Sequence, residues 1–216
     1  MMTIDGKTLA QCFEMVAKSG SELEGLITAL KNMLVEKLEK KGNEWPFVLA
    51  GDFQSSDRLD DSDWVYTDVS YSLPLKSRGK GKKLAERYLG FQISMLGDGI
   101  AVNGQDAEPL LHVFCWDQAV DFGDEYYLGF PLERDETFDV LEGRLLTWGT
   151  MDSRQWNSCA WTFSLKLLGL NNPDDLRKYV IDPAFALLAG EDVVKALPEG
   201  SVPFVRYPSK DELQEI

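Results

Sequence analysis

Two acidic clusters in this chain could hold a hard cation. Asp57, Asp60, Asp61 and Asp63 form one. Asp117, Asp121, Asp124 and Glu125 form the other. Magnesium and calcium take oxygen ligands from such groups, and a cation held there could activate water in a metal-assisted hydrolase. The first cluster lacks the spacing and the glycine of an EF-hand loop. A nuclease-type centre would need an acid on one strand and an acid-x-lysine pair on the next. Asp68 and Lys166 fit two of those places, but position 164 is Ser where an acid is required. Solvated loop acids are the plainer reading, so no metal and no cofactor is expected. Asp57, Asp60, Asp61 and Asp63 stand as the alternative metal set.

His112 is the single histidine, so any Ser–His–Asp or Cys–His mechanism must use it. It lies between Leu111 and Val113 in an apolar run that reads as a central strand. Cys115 is three residues away and so projects from the opposite face. That spacing argues against a local Cys–His pair and for a satisfied core histidine. Cys12, Cys115 and Cys159 are odd in number and lack CxxC spacing. They read as free thiols of a reducing, cytoplasmic compartment rather than as a disulfide scaffold or zinc ribbon.

Between Lys76 and Arg87 the chain carries six bases and one acid, Glu86. The run Gly79-Lys80-Gly81-Lys82-Lys83 is not a P-loop, because the glycine spacing is wrong and no Ser or Thr follows the lysine. Tyr88 is the lone aromatic nearby, which is too few for a single-strand nucleic-acid platform. Lys80, Lys82 and Lys83 remain candidate contacts to a phosphate or an acidic partner, against the plainer reading of a solvated hairpin tip. Trp148 and Trp156 flank a polar turn that contains Arg154. Exposed, these three could form an interaction hot spot; buried, the tryptophans are simply core.

The elements that must position these residues follow from the hydrophobic period. Leu9, Phe13 and Val16 recur at helical spacing, and Ser19-Gly20 reads as an interruption. Ser21 with Glu24 makes a capping box. Leu23, Leu26, Ile27, Leu30, Leu34 and Leu38 then form one stripe that ends at Gly42. Beyond it the period drops to two. Trp45–Ala50 is a short apolar run, and Asp52–Asp63 reads as a loop. A strand follows with Val65, Thr67, Val69, Tyr71 and Leu73 on one face and Asp68, Ser70 and Ser72 on the other. Pro74 should end its ladder.

Leu89, Phe91, Ile93 and Met95 mark a second strand, so the basic run falls in a hairpin connection. Leu110–Trp116, Tyr126–Leu132, Leu145–Trp148 and Cys159–Leu167 are further strand candidates. Asn172-Pro173 starts helix again, Asp182-Pro183 breaks or restarts it, and the tail after Pro198 reads as extended surface chain. Strands grouped between helices indicate an α+β fold. The expected architecture is a single domain over 1–216: a mostly antiparallel sheet of about five strands covered by N-terminal and C-terminal helices. Its parts are a helical segment 1–42, a sheet region 43–170, and C-terminal helices with tail 171–216.

Composition limits the function. The 216 residues carry 36 acids against 22 Lys and Arg, a net charge of −14. From Asp106 to Glu142 there are eleven acids and one base, Arg134. Such a field repels phosphate, so general nucleic-acid binding is disfavoured. No apolar run is long enough for a membrane span. The leading expectation is a binding protein whose acidic surface meets a basic protein partner, as an inhibitor, immunity-type or antitoxin-like protein, or assembly subunit. Asp121, Asp124 and Glu125 are its candidate contacts. The competing expectations are the metal-assisted hydrolase, with a basic phosphate-contacting loop, and a structural homo-oligomer built through the N-terminal helices.

Overall fold

The structure, a computed structural model, describes residues 5–42, 45–79, 84–96, 108–124, 138–148, 160–200 and 203–207. The chain divides into two compact units, Met1–Gly42 and Asn43–Ile216, and the division falls at the end of the helical segment read from the sequence.

The first unit is one helix, α1 (Gly6–Lys41), and not two. The Ser21 capping box does not form. Ser19 and Gly20 cost helix stability of about 1 kcal/mol between them and longer flanking turns absorb it. The true N-cap is Asp5, whose Oδ1 accepts from the amides of Lys7 and Thr8 at 2.9 and 3.0 Å. Those bonds, Thr8 foremost, hold the Asp5 carboxyl below its usual range. At the other end Gly42 adopts φ 49°, a conformation that favours glycine, and its amide donates to Glu39 O.

The second unit is a mostly antiparallel α+β fold with, among the described residues, eight strands rather than five. They are β1 (Phe47–Leu49), β2 (Gln54–Leu59), β3 (Tyr66–Ser77), β4 (Arg87–Ser94), β5 (Leu110–Trp116), β6 (Phe138–Leu141), β7 (Leu145–Trp148) and β8 (Ala160–Lys166). The spatial order is β1-β3-β4-β5-β8-β7-β6, with β2 also paired to β3. The Tyr126–Leu132 candidate lies outside the described residues. Asp52–Asp63, read as a loop for its polarity, contains β2. That strand sits at the sheet edge, where a polar sequence is tolerated.

Pro74 does not end β3. It pairs with Tyr88 on β4, while its C=O accepts from the Ala50 amide on the other side. The missing proline N–H therefore faces the edge at the break between β1 and β2, where no ladder donor is needed. The β3–β4 pair is the expected hairpin, with Lys76 and Arg87 in its strands.

Register places Ile93, Leu111 and Leu165 in one row, and Phe91, Val113 and Phe163 in the next, all on one face. These side chains are buried. Leu89, Cys115 and Trp161 continue that face, so Cys115 does project away from His112. After β8 come α2 (Pro173–Asp175), a π-helical stretch Leu176–Ile181, α3 (Asp182–Leu188) and α4 (Val193–Ala196). Asn172 caps the start as expected, accepting from the Asp174 and Asp175 amides. Asp182-Pro183 restarts regular α-helix after the π stretch without a break in direction, since Ile181 and Asp182 both keep helical dihedrals. Phe204 meets Phe163 at 5.9 Å and Tyr179 at 6.0 Å between ring centroids, joining helix to sheet. Part of the tail is thus core rather than surface chain: Val205 and Tyr207 are buried, and the Val205 amide donates to Ser164 O.

Candidate functional site

The other face of the sheet is polar and yet buried. Ser70, Gln92, His112 and Ser164 form one cross-strand row, with Asp68 and Ser94 in the adjacent row. All six are at most 1% exposed. Burying polar groups is tolerable when they bond one another, and most of this row does. Arg58 reaches from β2 to Asp68 Oδ2 through Nη2 at 2.6 Å and Nε at 3.0 Å. Gln92 Nε2 donates to Asp68 Oδ1 at 3.0 Å. Ser164 Oγ lies 2.7 Å from both His112 Nδ1 and Tyr207 OH.

Burial pushes the His112 pKa down to about 4, against a smaller opposing pull from the Asp68 charge, so the ring is neutral at pH 7. The same desolvation pushes the Cys115 thiol up to about 12 and raises the Tyr207 phenol as well. An unreactive thiol follows at that position.

Ser164 and His112 touch as a nucleophile and its base would. The rest of a triad is missing: Asp68 is engaged by Arg58 and Gln92, and His112 Nε2 has no hydrogen-bond partner. With every member buried, the row braces the sheet and presents no nucleophile to solvent. The satisfied core histidine expected at 112 is therefore only half satisfied. Lys166 forms an ion pair with Glu108 at 2.5 Å.

The exposed chemistry lies at one corner of the sheet. β2 and β3 form a hairpin whose tip is held by Asp60. Its Oδ1 accepts from the Trp64 amide at 2.7 Å and the Val65 amide at 3.0 Å. These bonds, Val65 first, lower the Asp60 pKa. Asp63, at φ 57°, completes the turn. Asp60 is thus a turn-forming carboxylate. Asp57 stands on β2, opposite Val69. Among the described residues no group of three His, Cys, Asp or Glu side chains is placed to hold a metal.

The tight tip displays apolar groups that the sequence reading had not singled out. Trp64 is 76% exposed and Tyr66 57% exposed, with Leu59 and Val65 exposed beside them. The available signal was Trp64 itself, an aromatic in an otherwise polar, Asp-rich stretch.

Part of the second acidic cluster, at Asp121, lies beside β2. Residues Phe122–Asp124 form a 3-10 turn packed on β2. The Phe122 amide donates to Ser56 Oγ at 3.0 Å, and the Arg58 guanidinium carbon lies 6.0 Å from the Phe122 ring centre. Asp121 is exposed there, its Oδ1 accepting from the Gly123 amide. Asp124 closes the turn.

The remaining candidates separate. Trp148 is half-buried, packed on Phe138, Leu146 and Tyr207 and 5.1 Å from the Trp116 ring centre. Glu125, Lys80, Lys82, Lys83, Arg154 and Trp156 lie outside the described residues. Of the basic run, Arg78 donates to Trp45 O, and Ser77 bonds Glu86. Those contacts make the described ends of the run part of the fold.

The described part of this corner thus combines the exposed Trp64 and Tyr66 with the Asp60-held turn and the Asp121 segment. Compared with known protein families, curated proteins and solved structures, the chain matches none.

Proposed function

We propose that this chain is a non-catalytic binding protein whose acidic β2–β3 corner docks a cationic protein surface. One observation carries the reading: Trp64 and Tyr66 are exposed at the end of the acid-rich β2–β3 hairpin that bears Asp57–Asp63, and a second acidic segment, at Asp121, is tied to the same β2 strand through the Phe122 amide and Ser56. A central aromatic anchor with a charged rim is the usual anatomy of an interface hot spot. Carboxylates around it speed the encounter with a basic partner and reject acidic ones. The net charge of −14 works in the same direction at long range.

The test is capture from a lysate of the source cells by the immobilised full chain. Partners should be held at low salt and released at about 1 M salt, where the Debye length falls to about 3 Å. Asp61→Lys with Asp63→Lys should abolish capture, and Trp64→Ala should weaken it. Capture that ignores salt and both variants refutes the reading.

A second reading has its own observation. Leu9, Phe13 and Val16 on α1 are 48–56% exposed and spaced four and three apart, a seam suited to self-association. Phe13→Glu leaves the mass in solution unchanged if the chain is monomeric and lowers it if α1 assembles copies.

A further inference from the structure

We infer that the partner adds an extended, lysine- or arginine-bearing segment to the free edge of β2, extending the sheet by one strand. This deepens the acidic-corner reading and rests on it. The geometry comes from backbone direction. In an antiparallel ladder the N–H and C=O of a residue point to the same side, and that side alternates along the strand. Pro74 O accepts from Ala50 on the β1 side, so Ser72, Ser70 and Asp68 face the β2 side. Their partners Gln54, Ser56 and Arg58 face inward to β3. The N–H and C=O of Ser55 and Asp57 therefore point outward, away from the sheet. Both residues are exposed, and among the described residues no strand pairs with that side.

An edge of this kind is a template for one more strand. Its side chains define the occupant. Asp57 and Leu59 lie two positions apart on β2, and beyond the register shift at Arg58/Leu59 the Leu59 position is paired with the exposed Tyr66. An added strand would set a cation beside Asp57 and an apolar residue, two positions along, beside Leu59. A second copy of this chain is the wrong occupant. It would bring a net charge of −14 and another acid-rich edge against Asp57, and like charges opposite one another destabilise a strand pair.

The experiment titrates the full isotope-labelled chain with an acetylated, amidated octapeptide in which Thr alternates with Lys and Val, followed by amide NMR. Ser55 and Asp57 amides should shift and become protected from exchange. Ser55→Pro removes one outward N–H and leaves the β3 ladder intact, because proline is tolerated where its N–H would face away from the sheet. It should keep a folded spectrum and weaken the peptide about tenfold, the worth of one net hydrogen bond. Equal affinity for Ser55→Pro, with shifts confined to Asp61, Asp63 and Trp64, overturns strand addition and leaves the acidic corner standing. An absence of binding to either chain at low salt also overturns strand addition, while capture of whole partners decides the corner separately.

Discussion

The Phe122 amide donates to the Ser56 hydroxyl at 3.0 Å, across 66 residues of sequence. That single bond helps tie the 121–124 turn to β2 and brings Asp121 to the strand that carries Asp57. Ser56→Ala removes the acceptor and should cost about 1 kcal/mol of stability, the net worth of one such bond. Because it also frees the Asp121 turn, partner capture should lose part of its salt sensitivity. Urea melts and capture at two salt concentrations measure the two effects.

Arg58 and Asp68 link that corner to the buried polar face. Asp68 is fully buried, whereas the Arg58 side chain is 42% exposed. Removing the arginine takes away the charge that offsets a buried carboxylate. A fully buried pair loses about 3–5 kcal/mol when one partner goes. Partial exposure of Arg58 reduces this to about 2–3 kcal/mol for Arg58→Ala. Denaturant unfolding at pH 7 checks it, and a loss below about 0.5 kcal/mol, typical of a surface pair, would contradict it.

His112 predicts a direction with pH. Its pKa falls from 6.5 to about 4 on folding, through burial. The unfolded chain therefore binds the extra proton between those values. The contribution of the neutral ring is complete above pH 6.5 and is lost as pH falls toward 4, by about 3 kcal/mol in all. His112→Leu cannot take up that proton. The stability lead of the wild type over the variant should shrink as pH falls from 7 to 4.5. A lead that stays constant would place His112 in a solvated setting.

Gly90 predicts a packing failure. A Cβ there would lie 2.1 Å from Tyr71 O and 2.7 Å from Phe114 Cζ. Neither the strand backbone nor a buried ring can yield that distance. Gly90→Ala should cost about 3 kcal/mol or more, at the upper end of overpacking penalties. A thermal melt with an unchanged midpoint would contradict the register of β3 on β4.

Most of this fold was legible in the sequence because period decides it. Alternation placed Leu73, Leu89 and Trp161 on one face, and the apolar run Leu110–Trp116 marked the central strand. β2 was not legible, since an edge strand buries little and Gln54–Leu59 carries no apolar alternation. The α1 break at Gly20 was misread because neighbouring turns outweigh one weak position. Pro74 was misread because only the pairing shows which side its missing N–H faces.

The site divides along the same line. Its acids were visible as charge runs. Their convergence was not, because it depends on the Ser56–Phe122 bond, and Trp64 passed unremarked because exposure is a property of the turn that Asp60 holds. The buried polar row was visible only as a polar strand face, which ordinarily meets solvent.

The central claim is that the acidic corner anchors a basic partner through Trp64. Isothermal titration of a captured partner with wild type, Trp64→Ala and Asp61→Lys/Asp63→Lys tests it most directly. A weakening of about 30-fold or more for Trp64→Ala is expected, the loss of a hot-spot side chain worth about 2 kcal/mol. Loss of detectable binding is expected for the charge reversal. Affinity within about twofold of wild type for both variants, well inside 1 kcal/mol, would place the binding surface elsewhere.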